Sequence, residues 1–97
     1  MEAKEITVLM VEPGEHPKVV TLMDDLDSLQ KAVSIGAYYR GLIEIVSLGN
    51  SDCIMCNEEG KLIGLEGNRR LGEDILVGVF CIMSENEDGE LVSLTDA

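Results

Sequence analysis

The stretch CNEEGKLIGLEGNRRLGEDILVGVFCI, Cys56 to Ile82, decides the fold. Its glycines, paired arginines and acidic clusters suit a ligand-gripping loop as well as the turns of a small sheet. A phosphate loop needs a strand, a glycine run closing on Gly-Lys-Ser/Thr, and then a helix. Lys61 is followed by Leu62, and no helical period comes after it. Read as turns, the residues need no special chemistry. Glu58-Glu59-Gly60-Lys61 reverses the chain between two short apolar runs, Cys53–Asn57 and Leu62–Leu65. Gly67–Asp74 (GNRRLGED) reads as a polar connection. Ile75–Met83 (ILVGVFCIM) reads as one central strand, with Gly78 marking a bulge or a close backbone approach. Alternation places Val77, Val79 and Cys81 on one face and Leu76, Phe80 and Ile82 on the other.

Working outward, Leu42–Leu48 (LIEIVSL) is strand-like, with Glu44 and Ser47 pointing outward, and it turns at Gly49–Asp52 to give a β-meander. Ile6–Val11 and Lys18–Leu22 are two further runs separated by EPGEHP, which reads as a hairpin. Between them and Leu42 the period changes. Leu26, Leu29, Ala32 and Val33 recur at helical spacing, with Asp24 or Asp25 as N-cap and Gly36 as the stop. A charged turn, SENEDGE, leads to Leu91–Leu94, and Thr95-Asp96 resembles the cap of another helix. The expected fold class is α+β: a small single domain spanning 1–97, mainly antiparallel sheet, with one principal helix at about residues 25–35.

Composition narrows the function. The chain has 97 residues, 45% of them hydrophobic, and a net charge of −12. Phosphate contacts need Lys and Arg, and base stacking needs aromatic residues, which are 3% here, so direct nucleic-acid binding is not expected. No run approaches the length of a membrane span, and MEAKEITVLMVEPG lacks the basic-then-apolar form of a secretory signal. The expected setting is therefore the cytoplasm, with the three cysteines as free thiols.

Cys53 and Cys56 have the spacing of a zinc knuckle, and Cys81 and His16 would complete four ligands. In a strand, however, residues three apart face opposite sides. No metal, cofactor or redox pair is expected, and His16 reads as a solvated loop residue. Asp24, Asp25 and Asp27 lack the glycine and terminal Glu of a calcium loop. Asn68-Arg69-Arg70 is different in kind, because two of only seven basic residues stand together in an acidic chain. One reading is a turn bent by Asn68, with the arginines paired to Glu66, Glu73 or Asp74. The other is a contact with a ligand or partner through an arginine fork at Asn68, Arg69 and Arg70.

Several of these segments, taken in order, resemble the small proteins grouped as domain-of-unknown-function family 3846. They are Val11-Glu-Pro-Gly14, Leu26-Asp-Ser-Leu-Gln30, Ile43-Glu44, Cys56-Asn-Glu-Glu-Gly-Lys-Leu62, Gly64-Leu65, Asn68-Arg69, Asp74-Ile75, Gly78 and Ser93-Leu-Thr95. Gly36–Leu42 is longer than the family's step out of the helix, and Glu66-Gly67 stands where prolines usually precede the Asn-Arg pair. The resemblance implies carriage on a phage or mobile genetic element, a host bacterial cytoplasm and no established activity. The function expected is that of a non-enzymatic accessory protein acting through protein–protein contacts. Its partner would be a host or phage protein, or a second copy in a homodimer. The alternatives are a small-ligand or anion-binding module built on the Asn68-Arg69 loop, and an acidic DNA mimic that inhibits a host DNA-binding protein.

Overall fold

The computed structural model describes residues 4–35, 41–49, 51–61, 64–71, 73–88 and 90–93. The chain runs through β1 (Glu5–Val11), β2 (Lys18–Met23), α1 (Leu26–Ala32), β3 (Ile43–Gly49), β4 (Asp52–Asn57), β5 (Gly67–Leu71), β6 (Asp74–Val77), β7 (Phe80–Glu85) and β8 (Leu91–Val92). A six-stranded sheet has the order β2-β1-β7-β4-β3, with β8 paired to β7, while β5 and β6 form a separate ribbon. Among the described residues every strand pairing is antiparallel. The expected α+β class is what the chain adopts.

Local chemistry sets the reversals. Glu12-Pro13-Gly14-Glu15 closes with Glu15 N–H on the Glu12 carbonyl (3.1 Å), and Gly14 has φ +73°, the residue pattern of a type II turn. Asp25 is the N-cap of α1, accepting from Ser28 N–H at 2.7 Å. Asp27 and Lys31 lie at the ends their charges favour and pair at 3.2 Å. At 7 residues α1 is too short to persist alone. It is held by burying Leu29, Ala32 and Val33 against the sheet.

Two cores follow from the alternation of the strands. On the helix side Ile6, Val8 and Met10 of β1, Cys53 and Met55 of β4, and Cys81 and Met83 of β7 pack with α1. On the opposite face Val11, Ile54, Cys56 and Phe80 pack with Val46, Leu76 and Ile82. The β5–β6 ribbon covers that second face through Leu76. Central β7 is therefore buried on both sides, as its sequence suggested.

Four expectations need correction. Ile75–Met83 is not one strand: it breaks at Gly78, whose φ is +71°, so that Ile75–Val77 belongs to the ribbon and Phe80–Met83 to the main sheet. Both halves bury apolar side chains, and so the run shows no gap in hydropathy. Val77 therefore leaves the face it was assigned with Val79 and Cys81, whereas Phe80 and Ile82 do share theirs with Leu76. Gly67–Asp74 is not a bare connection, since Gly67–Leu71 forms β5. Nor does Leu65 extend a meander: it follows a turn closed by Leu65 N–H on the Gly60 carbonyl (2.9 Å). The helix also ends earlier than expected, at Ala32 with Val33 as C-cap, so Gly36 is not its stop. Leu62, Ile63, Gly36 and Thr95-Asp96 lie outside the described residues.

A Cβ on Gly78 would stand 2.6 Å from Leu65 Cδ1, so the break admits only glycine without displacement of Leu65. Phe80, 4% exposed, fills the ribbon-side core next to it. Phe80→Ala should cost about 3–5 kcal/mol in urea unfolding. A loss below about 1 kcal/mol would mean that the ring is not packed as described.

Candidate functional site

The ribbon meets the main sheet at Asn68. Gly67 pairs with Val77 and Arg69 with Leu76, so Asn68 is the extra residue of a β-bulge. A bulge re-aims its side chain out of the ladder. Here Asn68 Nδ2 donates to the Val11 carbonyl at the end of β1 (2.9 Å) and to the Gly78 carbonyl at the chain break (2.7 Å). Two carbonyl acceptors fix the amide orientation, since its oxygen in that place would repel both. The oxygen Oδ1 faces the other way and accepts from Arg69 Nη1 at 2.9 Å.

Arg69 extends the clamp. Its Nη1 also reaches the Asn68 carbonyl (3.2 Å), and Nη2 donates to the Glu15 carbonyl in the β1–β2 turn (2.6 Å). The guanidinium is half-buried and engages oxygens of the chain's own backbone, where the sequence reading offered Glu66, Glu73 or Asp74. Arg70, the next residue, is exposed. The structure thus brings Asn68 and Arg69 together with Val11, Glu15 and Gly78, and leaves Arg70 apart. None of those three partners was legible beforehand, because Val11 is 57 positions away and contributes only a carbonyl.

A shallow cleft lies beside β6, lined by Glu44, Cys56, Asn57, Glu58, Lys61, Asp74 and Ile75–Val77. Its volume of about 140 Å³ is well below the ~300–1,000 Å³ typical of small-molecule sites. Lys61 and Asp74 form an ion pair at its mouth. The Lys61 hydrogen bond, seconded by the Ile75 N–H, holds the Asp74 carboxyl below its usual range. Buried Asn57 forms the back wall: Nδ2 donates to the Val33 carbonyl (3.3 Å) and Oδ1 accepts Glu59 N–H (2.8 Å). The sequence reading passed over Asn57; an Asn closing an apolar run before Glu-Glu-Gly was the available signal.

The thiols divide between the two cores. Cys53 lies on the helix side and Cys56 on the ribbon side, so the two do not converge. Cys81 shares the helix-side core with Cys53. Burial pushes the Cys56 thiol up to about 11, helped by the Glu44 charge and by its hydrogen bond to that carboxylate (3.9 Å). Burial alone raises Cys81 to about 12. Cys53 is raised too, by burial first and then by Glu85 and Asp52. Thiols held protonated in this way are poor nucleophiles and poor ligands. Among the described residues no group of His, Cys, Asp and Glu is placed to hold a metal ion, and no helix is long and apolar enough to cross a membrane.

Asn68→Ala removes both donors from part-buried carbonyls and should cost about 1–3 kcal/mol. Asn68→Asp should cost more than Asn68→Ala, because a carboxylate would then face two carbonyl oxygens. Equal or smaller loss for the Asp variant in thermal unfolding would show that the amide is not bridging them. Separately, protein purified without added metal should contain no stoichiometric zinc by elemental analysis; zinc at one equivalent would contradict the split of Cys53 and Cys56 between faces.

No curated protein and no solved structure matches the chain. A family model does match, over residues 6–97, a span that takes in β1, the Asn68 clamp, the Gly78 break and central β7. Since nearly the whole chain is covered, the protein belongs to the family described as Domain of unknown function (DUF3846).

Proposed function

We propose that the protein is a non-enzymatic accessory protein of a phage or mobile genetic element, acting in the host bacterial cytoplasm through contacts with another protein. The supporting observation is an apolar corner where the end of α1 meets the start of β3. Ser34 Oγ accepts Gly41 N–H at 3.0 Å, and Asn57 Nδ2 holds the Val33 carbonyl, so the corner is a built feature. Around it Ile35 is 48% exposed, Leu42 55% and Ile45 38%. Single exposed aliphatics are ordinary, and those on the two segments flanking this junction are the candidates for a contact surface.

Charge narrows the partner. A chain of net charge −12 is steered toward a protein with a basic rim. The clamp at Arg69 lends less support to anion binding, because its donors are already directed at Asn68 and Glu15. The implied origin on a mobile element comes from the resemblance to the family and sets which lysate to use.

The test is capture from a lysate of the host bacterium by immobilised protein, in parallel with Leu42→Glu and Ile45→Glu. A discrete protein should be retained by the native chain and lost by about tenfold or more with either variant, a fall of roughly 1.4 kcal/mol in affinity. Retention unchanged by both substitutions would remove the corner from the interface.

A further inference from the structure

The opposite edge of the sheet, β2, carries a second and independent surface. Its core, Val19–Met23 (VVTLM), contains no charge, proline, glycine or bulge, and its pairing with β1 is regular from Glu5↔Met23 to Met10↔Lys18. Proteins usually protect an open edge with one of those devices. The other edge has them: β3 carries Glu44 and a register shift between Ser47 and Gly49. On β2, by contrast, Val19 is 72% and Met23 39% exposed.

The phase of the ladder identifies which backbone groups are open. Asp24 N–H donates to the Lys4 carbonyl at 2.7 Å, so Asp24 and, by alternation, Leu22, Val20 and Lys18 direct their groups at β1. Val19, Thr21 and Met23 therefore direct theirs outward. The geometry points to a second copy of this chain as the occupant, with β2 pairing antiparallel to β2 about a two-fold axis through Thr21.

A two-fold axis normal to the sheet requires facing residues to lie on the same side, which restricts the registers. In the register centred on Thr21, Val19 faces Met23 of the other copy, Val20 faces Leu22, and Thr21 faces itself. The outward N–H groups of Val19, Thr21 and Met23 and the carbonyls of Val19 and Thr21 are then hydrogen-bonded, while the Met23 carbonyl, which already accepts Asp25 N–H at 2.9 Å, takes a second donor. Lys18 falls opposite Asp24 at both ends, and close side chains are the rule at such a non-hydrogen-bonded position. Lys18 now touches Glu12 at 3.6 Å while 55% exposed, leaving room for a second carboxylate. The register centred on Val20 would set Met23 against Pro17, which has no N–H to donate. Centring on Leu22 would set Val19 against Asp25, already committed to capping α1.

The cross-strand row Val19-Leu9-Ile82-Ile54-Val46 crosses β2, β1, β7, β4 and β3 by direct pairing. The dimer would continue that row through Met23 of the second copy and cover its exposed end. The experiment is sedimentation of the full chain across the micromolar range. Native protein should sediment as a dimer, and Thr21→Pro, which removes an outward N–H and no β1 bond, should be a monomer with its thermal transition retained. Lys18→Asp should weaken the dimer about tenfold, and Lys18→Asp with Asp24→Lys should restore it. A monomeric native chain, or a Thr21→Pro dimer, would overturn the assignment. Should Thr21→Pro fail to fold, the charge pair decides it: no rescue by the double variant rejects the register.

Discussion

One amide group bridges the two sheets. Asn68 Nδ2 spans the carbonyls of Val11 and Gly78, which are the end of the first strand and the hinge between the ribbon and the centre of the main sheet. Both carbonyls lie in a part-buried seam, where losing a hydrogen bond costs more than an exposed one contributes. Only a side chain with two hydrogens on one short arm can satisfy them together. Asn has that arm, and the bulge between Gly67 and Arg69 aims it. Once the ribbon is anchored, Leu76 lies over Phe80, Ile54 and Cys56, and the second core exists.

The corresponding constraint on the other face is the shortness of α1. A helix of 7 residues adds little by its own hydrogen bonds, so Leu29, Ala32 and Val33 must be packed before it is stable. Helix and ribbon are thus lids on one sheet, each dependent on it. Burial on both faces, in a chain rich in carboxylates, also explains the thiols: low dielectric and nearby negative charge both oppose thiolate formation.

What was legible in the sequence was local. The spacing of Leu26, Leu29 and Ala32, the cap at one of the two candidate residues, Asp25, and the Pro13-Gly14 turn within EPGEHP each act within a few residues, inside the segment the pattern assigned. The opposite faces of Cys53 and Cys56 followed from strand geometry alone. The break at Gly78 was not legible as a break, because hydropathy records burial and both β6 and β7 are buried. β5 escaped notice for the converse reason: Asn68, Arg69 and Arg70 are polar, and a two-stranded ribbon over a sheet leaves much of itself wet. The clamp was the least legible feature. Asn68 stood out by its neighbours' charge, but its partners are backbone carbonyls, which any sequence would offer. Nothing in a lone chain marks which carbonyl will be near.

The strand order also has a consequence in time. The ribosome releases β1 and β2 first, yet the inner neighbour of β1 is β7, paired through Leu9↔Ile82 and Val11↔Phe80. Until β7 has emerged, the hairpin can close only on its own partner strand. Ile6, Val8 and Met10 lack the β4 and β7 side chains they pack against until those strands have emerged. Pairings so distant in sequence also carry a high loop-closure cost, which slows the final assembly. Nascent chains of this topology therefore depend on whatever shields an apolar hairpin at the exit tunnel, and a truncation before Phe80 would leave that hairpin permanently unsheltered.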